Sequence, residues 1–313
     1  MRVLITGAGG FVGRHLIPEF LAGGDDVTTF DAQAELDVPG GPRHIAGDIC
    51  DSEALRRAVD QAAPDACVHL AALSFVPAGW TEPARMFEVN VIGTVNLLDA
   101  FRRSGIPARI LVVSSAEVYG HEPRGRPVRE DDSLSPSNIY AVTKAAADEA
   151  ALLLAKRHGL HIIVARPGNN IGPGQRSEFV VPSFAGQLAK MARSGAERVL
   201  RTGNLESGRD FVDVRDVARA YRLLLQKGRP GLAYNIGSGR ETRIRDLLES
   251  LETISGVRPR VEHDPERFRP EDHHPILDVG RIKADTGWAP AHSLAQTLGD
   301  VFEEAAASER MER

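Results

Sequence analysis

The segment Thr6-Gly7-Ala8-Gly9-Gly10-Phe11-Val12-Gly13 constrains this chain more tightly than any other stretch. It follows the apolar, β-rich run Val3-Leu4-Ile5. It leads into Val12, Leu16, Ile17, Phe20 and Leu21 at helical spacing, ended by Gly23-Gly24. A strand that turns through glycines three apart into a helix is built to hold a phosphate. Gly7 permits the tight turn, Gly10 lets the backbone approach a pyrophosphate, and Gly13 lets the helix pack closely on the sheet. The N–H groups at the helix start, around Phe11 and Val12, lack intrahelical acceptors and carry partial positive charge, which suits a diphosphate. Asp31 closes the next strand about 20 residues on, where an acid can accept both hydroxyls of a ribose. The same carboxylate would repel a 2′-phosphate, and its neighbours Ala32 and Gln33 bring no cation. NAD(H) is therefore favoured, with NADP(H) left open to a remote arginine. Asp48, followed by Ile49, is a candidate for the adenine edge; equally, Asp48 could cap the helix starting near Ser52.

Strand and helix signals alternate through the first half. Val27 to Phe30 reads as a second strand, Ile45-Ala46 lies in a short third, Val68 to Ala72 forms a fourth and Ile110 to Ser114 a fifth. Helices are predicted from Ala54 to Ala62, over about 84–104 and over about 138–158, with a further strand at Ile162 to Ala165. Nearly continuous apolar strands alternating with helices imply an α/β, doubly wound parallel sheet covered on both faces. After Arg166-Pro167 the pattern breaks, and Gly172-Pro173-Gly174 opens irregular structure. Helices near 182–194 and 214–227 follow, the second returning to the sheet. Residues 1–166 plus about 210–235 are expected to form the dinucleotide domain. About 167–209 plus 236–307 would form a smaller domain over the sheet's carboxyl edge, with 308–313 a polar tail.

Composition narrows the partners. With 42% hydrophobic and 26% charged residues the chain is an ordinary globular sequence. Its 38 basic and 43 acidic residues give a net charge of −5 without a basic segment, which argues against nucleic acid or an anionic membrane surface. The N-terminal apolar run is too short for a signal peptide, and no run approaches a membrane span. Cys50 and Cys67 cannot make a disulfide framework and match no metal spacing, so a reducing cytoplasm is the expected setting.

The chemistry-bearing pattern is Tyr140-Ala-Val-Thr-Lys144 at the start of a predicted helix. A spacing of four puts phenol and amine on one face, one turn apart, and a nearby ammonium lowers a phenol's pKa toward the working range. Upstream, Ser114-Ser115-Ala116-Glu117 follows the fifth strand, so these polar groups emerge at the same sheet edge. A tyrosine–lysine pair alone is more often a solvated helix face, and a serine after a strand more often a turn. The convergence of three motifs on one edge is what gives them weight.

Together TGAGGFVG, HLAA (69–72), SSAEVYG (114–120) and YAVTK (140–144) resemble the extended short-chain dehydrogenase/reductases acting on nucleotide sugars. The resemblance spans nearly the whole chain. It implies a seven-stranded Rossmann sheet, a C-terminal nucleotide-sugar domain, and Ser115, Tyr140 and Lys144 as the catalytic triad. It further implies Leu70, Ala71 and Ala72 against the cofactor, and a homodimer through the helices near 84–104 and 138–158. RPGNNIGPGQ (166–175), EFVVPSFAGQLA (178–189), GNLESGRDFVDVRDVARAY (203–221) and RPEDHHPIL (269–277) look most like the GDP-6-deoxy-D-mannose reductases, which reduce a 4-keto sugar nucleotide. That likeness carries Ser74, Asn169, Val180, Arg209, Arg269 and Asp272 over as contacts to a nucleotide sugar, a GDP-sugar favoured, and Glu117 as a group touching the sugar or relaying a proton. The GDP-mannose 4,6-dehydratases and the nucleotide-sugar 4-epimerases remain competitors, and a non-catalytic dinucleotide sensor is a weaker one. Gly168 stands where relatives usually carry a bulky residue, and His273-His274 interrupt the expected motif. These histidines, with His263, have no supporting carboxylate or cysteine spacing, so a polar loop rather than a metal is expected.

Overall fold

A computed structural model describes residues 1–38, 40–121, 125–194, 198–265 and 274–311. In chain order the first half contains β1 (Arg2–Thr6), α1 (Phe11–Ala22), β2 (Asp26–Asp31), β3 (Arg43–Ala46), α2 (Ser52–Ala62), β4 (Ala66–His69), α3 (Ala78–Thr81), α4 (Pro83–Phe87), a π-helical turn (Glu88–Ile92), α5 (Gly93–Ser104), β5 (Arg109–Val113) and a 3₁₀ turn (Ala116–Tyr119). There follow α6 (Ile139–His158), β6 (His161–Pro167), β7 (Asn169–Ile171), α7 (Val180–Ser194), β8 (Val199–Thr202), β9 (Gly208–Arg209), β10 (Phe211–Asp213), α8 (Val214–Lys227) and β11 (Ala233–Ile236). The chain ends with β12 (Thr242–Arg243), α9 (Ile244–Ser255), β13 (Arg260–His263), α10 (Gly280–Thr286) and α11 (Leu294–Met311). Among the described residues no helix is long and apolar enough to cross a membrane.

Seven parallel strands form the central sheet in the order β11-β6-β5-β4-β1-β2-β3. Side chains of a strand alternate between faces, and here both faces are buried. Val3, Ile5, Leu111 and Ile163 pack with α1 and α8, while Leu4, Ile110, Val112 and Ile162 pack with α2, α5 and α6. A third core, holding Phe184, Leu188, Leu247, Leu251 and Leu298, belongs to α7, α9 and α11 beyond the sheet. The order reverses between β1 and β4, so the crevice at their carboxyl ends is where such a sheet receives a ligand.

Four sequence expectations change in detail. The fourth strand ends at His69 rather than Ala72, because Leu70 and Ala71 swing against the glycine turn: a Cβ on Gly7 would lie 2.5 Å from the Ala71 nitrogen. The long helix over 84–104 is interrupted by the π-turn at Glu88–Ile92. The cap of α2 is Asp51, whose carboxylate accepts from Glu53 and Ala54 N–H, so Asp48 does not cap it. Helix α11 runs on to Met311, through most of the segment read as a polar tail, and packs along α7.

Candidate active site

The glycine turn has the geometry its spacing implies. Gly7 takes φ +70°, in the left-handed region that favours glycine, and a Cβ there would collide with the main chain of Leu70 and Ala71. A Cβ on Gly13 would lie 2.2 Å from the Ala8 carbonyl oxygen, so the helix can approach only without one. At Gly10 a Cβ would meet one atom within 4 Å, the Gly7 oxygen at 3.3 Å, which leaves the cradle open outward. Gly10 is also the N-cap of α1 without a side-chain cap, so the first-turn N–H groups of Phe11 and Val12 remain available to a phosphate. Asp31, at the end of β2, sits beside this cradle: its carboxylate accepts from Gly9 N–H (3.0 Å) and Gln33 N–H (3.1 Å). An open, glycine-lined cradle with an acid at its rim fits a dinucleotide. Asp48 is exposed and pairs with Arg85, while the Ile49 side chain is buried in the core against Gly93. Leu70 and Ala71 lie against the turn at Gly7, and Ala72 is half-buried beside them in the chain.

Helix α6 delivers the phenol and the amine. Asn138 caps it by accepting from Ala141 N–H, which fixes where its first turn begins and thus the facing of Tyr140 and Lys144. Lys144 is buried and its Nζ donates to the Val113 carbonyl at 2.6 Å, the last residue of β5. Burial lowers the Lys144 ammonium to about 8, with Asp148 one turn on holding it up in part. Burial also pushes the Tyr140 phenol up to about 12; the Ser115 hydroxyl pulls it back in part and Glu117 adds to the rise. Burial decides the direction in the free protein, and the lowering by the ammonium expected from the sequence is not among the causes of the phenol's shift. Ser115, also buried, caps the 3₁₀ turn by accepting from Glu117 N–H (3.2 Å). Ser114 Oγ, at the end of β5, is buried with no partner among the described residues, a polar atom left over at the site's edge.

Three further polar positions surround this group. Asn90, on the π-turn, accepts from Leu73 N–H and donates to both Leu73 O and Thr143 Oγ1, tying the exposed Ser74 loop to α6. His69 is clamped between Thr6 and Thr94 hydroxyls at 2.7 and 2.8 Å; burial drives its pKa down to about 3, so it is neutral beside Lys144. Glu117 lies between two histidines, with His121 Nε2 at 3.0 Å from Oε2 and His274 Nδ1 at 2.6 Å from Oε1. Burial alone would raise its pKa, but hydrogen bonds and charge from the two imidazoles reverse this and hold it well below the usual carboxylate range. The signal for a polar residue in the helix at Asn90 was present; that for His121 and His274 was not, since 153 positions separate the pair.

The substrate-side candidates are dispersed. Asn169 opens β7 and lines a cavity of about 40 Å³ with Ser115, Ala116, Glu117, Pro167, Gly168, His274 and Pro275. Gly168 is required there, because a Cβ would lie 2.9 Å from the Asp210 carbonyl oxygen. Arg209 is half-buried on β9, Val180 begins α7, and Ser74 is exposed. Arg269, Asp272 and His273 lie outside the described residues. His263 is away from this cavity, on β13 with Nδ1 3.1 Å from the Gly203 oxygen.

The family model described as GDP-mannose 4,6 dehydratase matches residues 4–301. A GDP-6-deoxy-D-mannose reductase from Pseudomonas aeruginosa is 37% identical over 95% of this chain and 94% of its own. The structure of RMD from Pseudomonas aeruginosa complexed with NADPH superposes with a TM-score of 0.87 at 33% identity, covering 98% of this chain and all of that one (100%). A UDP-glucose 4-epimerase from Thermus thermophilus, in complex with NAD, gives a TM-score of 0.87 at 30% identity over 97% and 99% of the two chains.

Proposed function

The chain belongs to the GDP-mannose 4,6 dehydratase family of extended short-chain dehydrogenase/reductases, and on that footing we propose that it is a nucleotide-sugar oxidoreductase. Its reaction is NAD(P)H-dependent reduction of the C4 ketone of GDP-4-keto-6-deoxy-D-mannose to GDP-6-deoxy-D-mannose, that is, GDP-D-rhamnose. The observation that carries this reading is the likeness to the Pseudomonas reductase over almost the full length of both chains. The dinucleotide would be held by Gly7, Gly10, Phe11, Val12 and Gly13, by Asp31, and by Lys144 at its nicotinamide ribose. When bound, the reduced nicotinamide supplies a hydride.

Everything else falls to this chain's side chains. A phenol held near 12 is fully protonated at neutral pH, so Tyr140 can give a proton to the oxygen that forms at C4. Ser115 orients that oxygen. Lys144, largely an ammonium below about 8, stabilises the phenolate left behind. Glu117 and Asn169 line one cavity with Ser115, which supports a contact of each with the sugar. Asp31 favours NAD(H), while NADPH in the Pseudomonas RMD structure keeps NADP(H) in view.

A second reading has its own support. Glu117 shares a cavity with Ser115, where 4,6-dehydration needs a second acid–base group, although the imidazoles that hold its pKa well below the usual carboxylate range make it a weak base and favour reduction. Following nicotinamide absorbance with GDP-4-keto-6-deoxymannose separates the two: a reductase consumes one reduced nicotinamide per product, whereas a dehydratase or 4-epimerase consumes none. We also read the protein as a cytoplasmic homodimer, its sheet domain binding the dinucleotide and the region of α7, α9 and α11 binding the nucleotide sugar. The dimer reading is supported by exposed Phe87, Ile92 and Leu153 on the helices named for that contact. Sedimentation of Leu153→Glu against the unaltered protein tests it.

A further inference from the structure

We infer that Glu117, His121 and His274 form a binding site for one divalent transition-metal ion of the zinc class, whose occupancy inhibits the enzyme. Their three donor atoms all lie within 4.8 Å of one another. Tetrahedral zinc, with bonds of about 2.0–2.2 Å to nitrogen and oxygen, wants donors roughly 3.4 Å apart. The widest separation must therefore close by at most about 1.4 Å while the 2.6 and 3.0 Å contacts open by less than about 1 Å, movements that rotation of two imidazoles supplies. The two rings are tilted against each other with centroids 4.7 Å apart, and each reaches one oxygen of the same carboxylate.

The donors are preorganised by elements that do not depend on the ion. Glu117 sits in the 3₁₀ turn capped by Ser115, and Asn138 Nδ2 donates to its Oε2 at 3.3 Å, the kind of outer partner that orients a metal-binding carboxylate. His121 follows Gly120, whose φ of +78° brings its Cα so close to the Ser135 oxygen that a Cβ would be 2.1 Å away. His274 precedes a strap pinned on both sides: Val128 N–H donates to Ile276 O, Asp278 N–H to Val128 O, and Leu277 N–H to buried Asp210. Two histidines and a glutamate leave a fourth position open, as in zinc sites that exchange their last ligand. Here that position borders the cavity lined by Ser115 and Asn169. An ion so placed takes Glu117 out of use and narrows the space beside Ser115. That inhibition rests on the proposed reaction; the binding itself does not.

The test uses the full chain stripped with a chelator and dialysed against zinc chloride, with metal counted by mass spectrometry. One zinc per chain is expected, with cobalt(II) giving the visible absorption of a four-coordinate N/O site. Loss of an outer partner costs about 10–100-fold in affinity, so loss of a ligand in His121→Ala or His274→Ala should cost about 100-fold or more. The milder His121→Asn and His274→Gln serve if an alanine variant fails to fold. His263→Ala, away from the cluster, should bind as the unaltered protein does. Less than one zinc per chain at micromolar metal, retention of full affinity by folded variants of both histidines, or equal loss in His263→Ala would overturn the site. Zinc inhibition that a chelator reverses, and that the His274 variant escapes, is the functional outcome. Stoichiometric binding without inhibition would overturn that part and leave the reductase reading standing.

Discussion

Lys144 Nζ donates to the main-chain oxygen of Val113 at 2.6 Å, so the amine of α6 is fastened to β5, the strand that leads into Ser115. The bond places a charge in a buried site, and burial lowers its pKa from 10.5 to about 8. Between about 8 and 10.5 the unfolded chain holds a proton that the folded chain has released, so stability contributed by this group rises with pH across that window. Below it both states are protonated and the cost of the buried ammonium is borne in full. Lys144→Met removes a burden on the order of 3 kcal/mol and orphans a carbonyl, which returns roughly 1–2 kcal/mol. The variant is expected to melt at a higher temperature than the unaltered protein at pH 7 while losing turnover, with the gap closing by about pH 10.5. A lower melting temperature at pH 7, or a gap that ignores pH, contradicts the assignment.

Tyr140→Phe keeps the ring and deletes the acid. General acid catalysis contributes about 10²–10⁴-fold, and kcat is expected to fall by that amount with the affinity for NADH unchanged. In the unaltered enzyme kcat/KM should decline as pH rises through about 8, where Lys144 loses its proton, and not wait for the phenol near 12. Unchanged turnover in Tyr140→Phe would end the redox assignment.

The three glycines of the turn should separate by mechanism. Gly7→Ala strains a positive φ and meets backbone at 2.5 Å, and Gly13→Ala meets a carbonyl at 2.2 Å; both should lower thermal stability. Gly10→Ala meets a single atom, the Gly7 oxygen at 3.3 Å, which a shift of a few tenths of an ångström relieves, so it should fold far better than the other two yet bind the dinucleotide weakly, because its Cβ occupies the open side of the cradle. Calorimetry beside a nucleotide titration distinguishes the cases, and a destabilised Gly10→Ala with normal affinity would reverse the roles.

Such residues show what a sequence can disclose. Gly7, Gly13 and Asp31 were legible because local geometry fixes their use: a strand, a turn and a helix within a few residues leave little choice. Tyr140 and Lys144 were legible for the same reason, being one turn apart on one helix. The π-turn holding Asn90 was not, since its register depends on Leu73 and Thr143 from other segments. Nor was the Glu117 cluster, whose third member arrives from 157 positions away. The phenol's upward shift was misjudged because burial, its largest cause, is a property of packing.

The same packing dependence governs Arg166 and Asp148. Both are buried and joined by two hydrogen bonds of 2.7 and 3.0 Å, with Arg166 also donating to Tyr119 Oη and Glu130 O. Removing one partner leaves an unpaired buried charge, at a cost of about 3–5 kcal/mol, whereas replacing both by apolar residues of similar size costs far less. Arg166→Met and Asp148→Leu should therefore each be more damaging alone than together in chemical denaturation. Additive losses would show that the pair is not coupled.

Asp31 supplies the last case. Its carboxylate accepts from Gly9 and Gln33 N–H, so the charge is fixed at the rim of the cradle. A 2′-phosphate brought beside a fixed carboxylate is repelled by a few kcal/mol at the effective dielectric of a protein surface, and every ~1.4 kcal/mol is about tenfold in affinity. Asp31→Asn should therefore raise the affinity for NADPH relative to NADH by at least about tenfold, read by fluorescence titration of both. A cation is bonded to this turn as well: Arg14 Nε donates to Gly9 O at 3.4 Å. If the unaltered protein already prefers NADPH, Arg14→Ala should abolish that preference while sparing NADH. If neither variant moves the ratio, the rim of the cradle does not choose the cofactor.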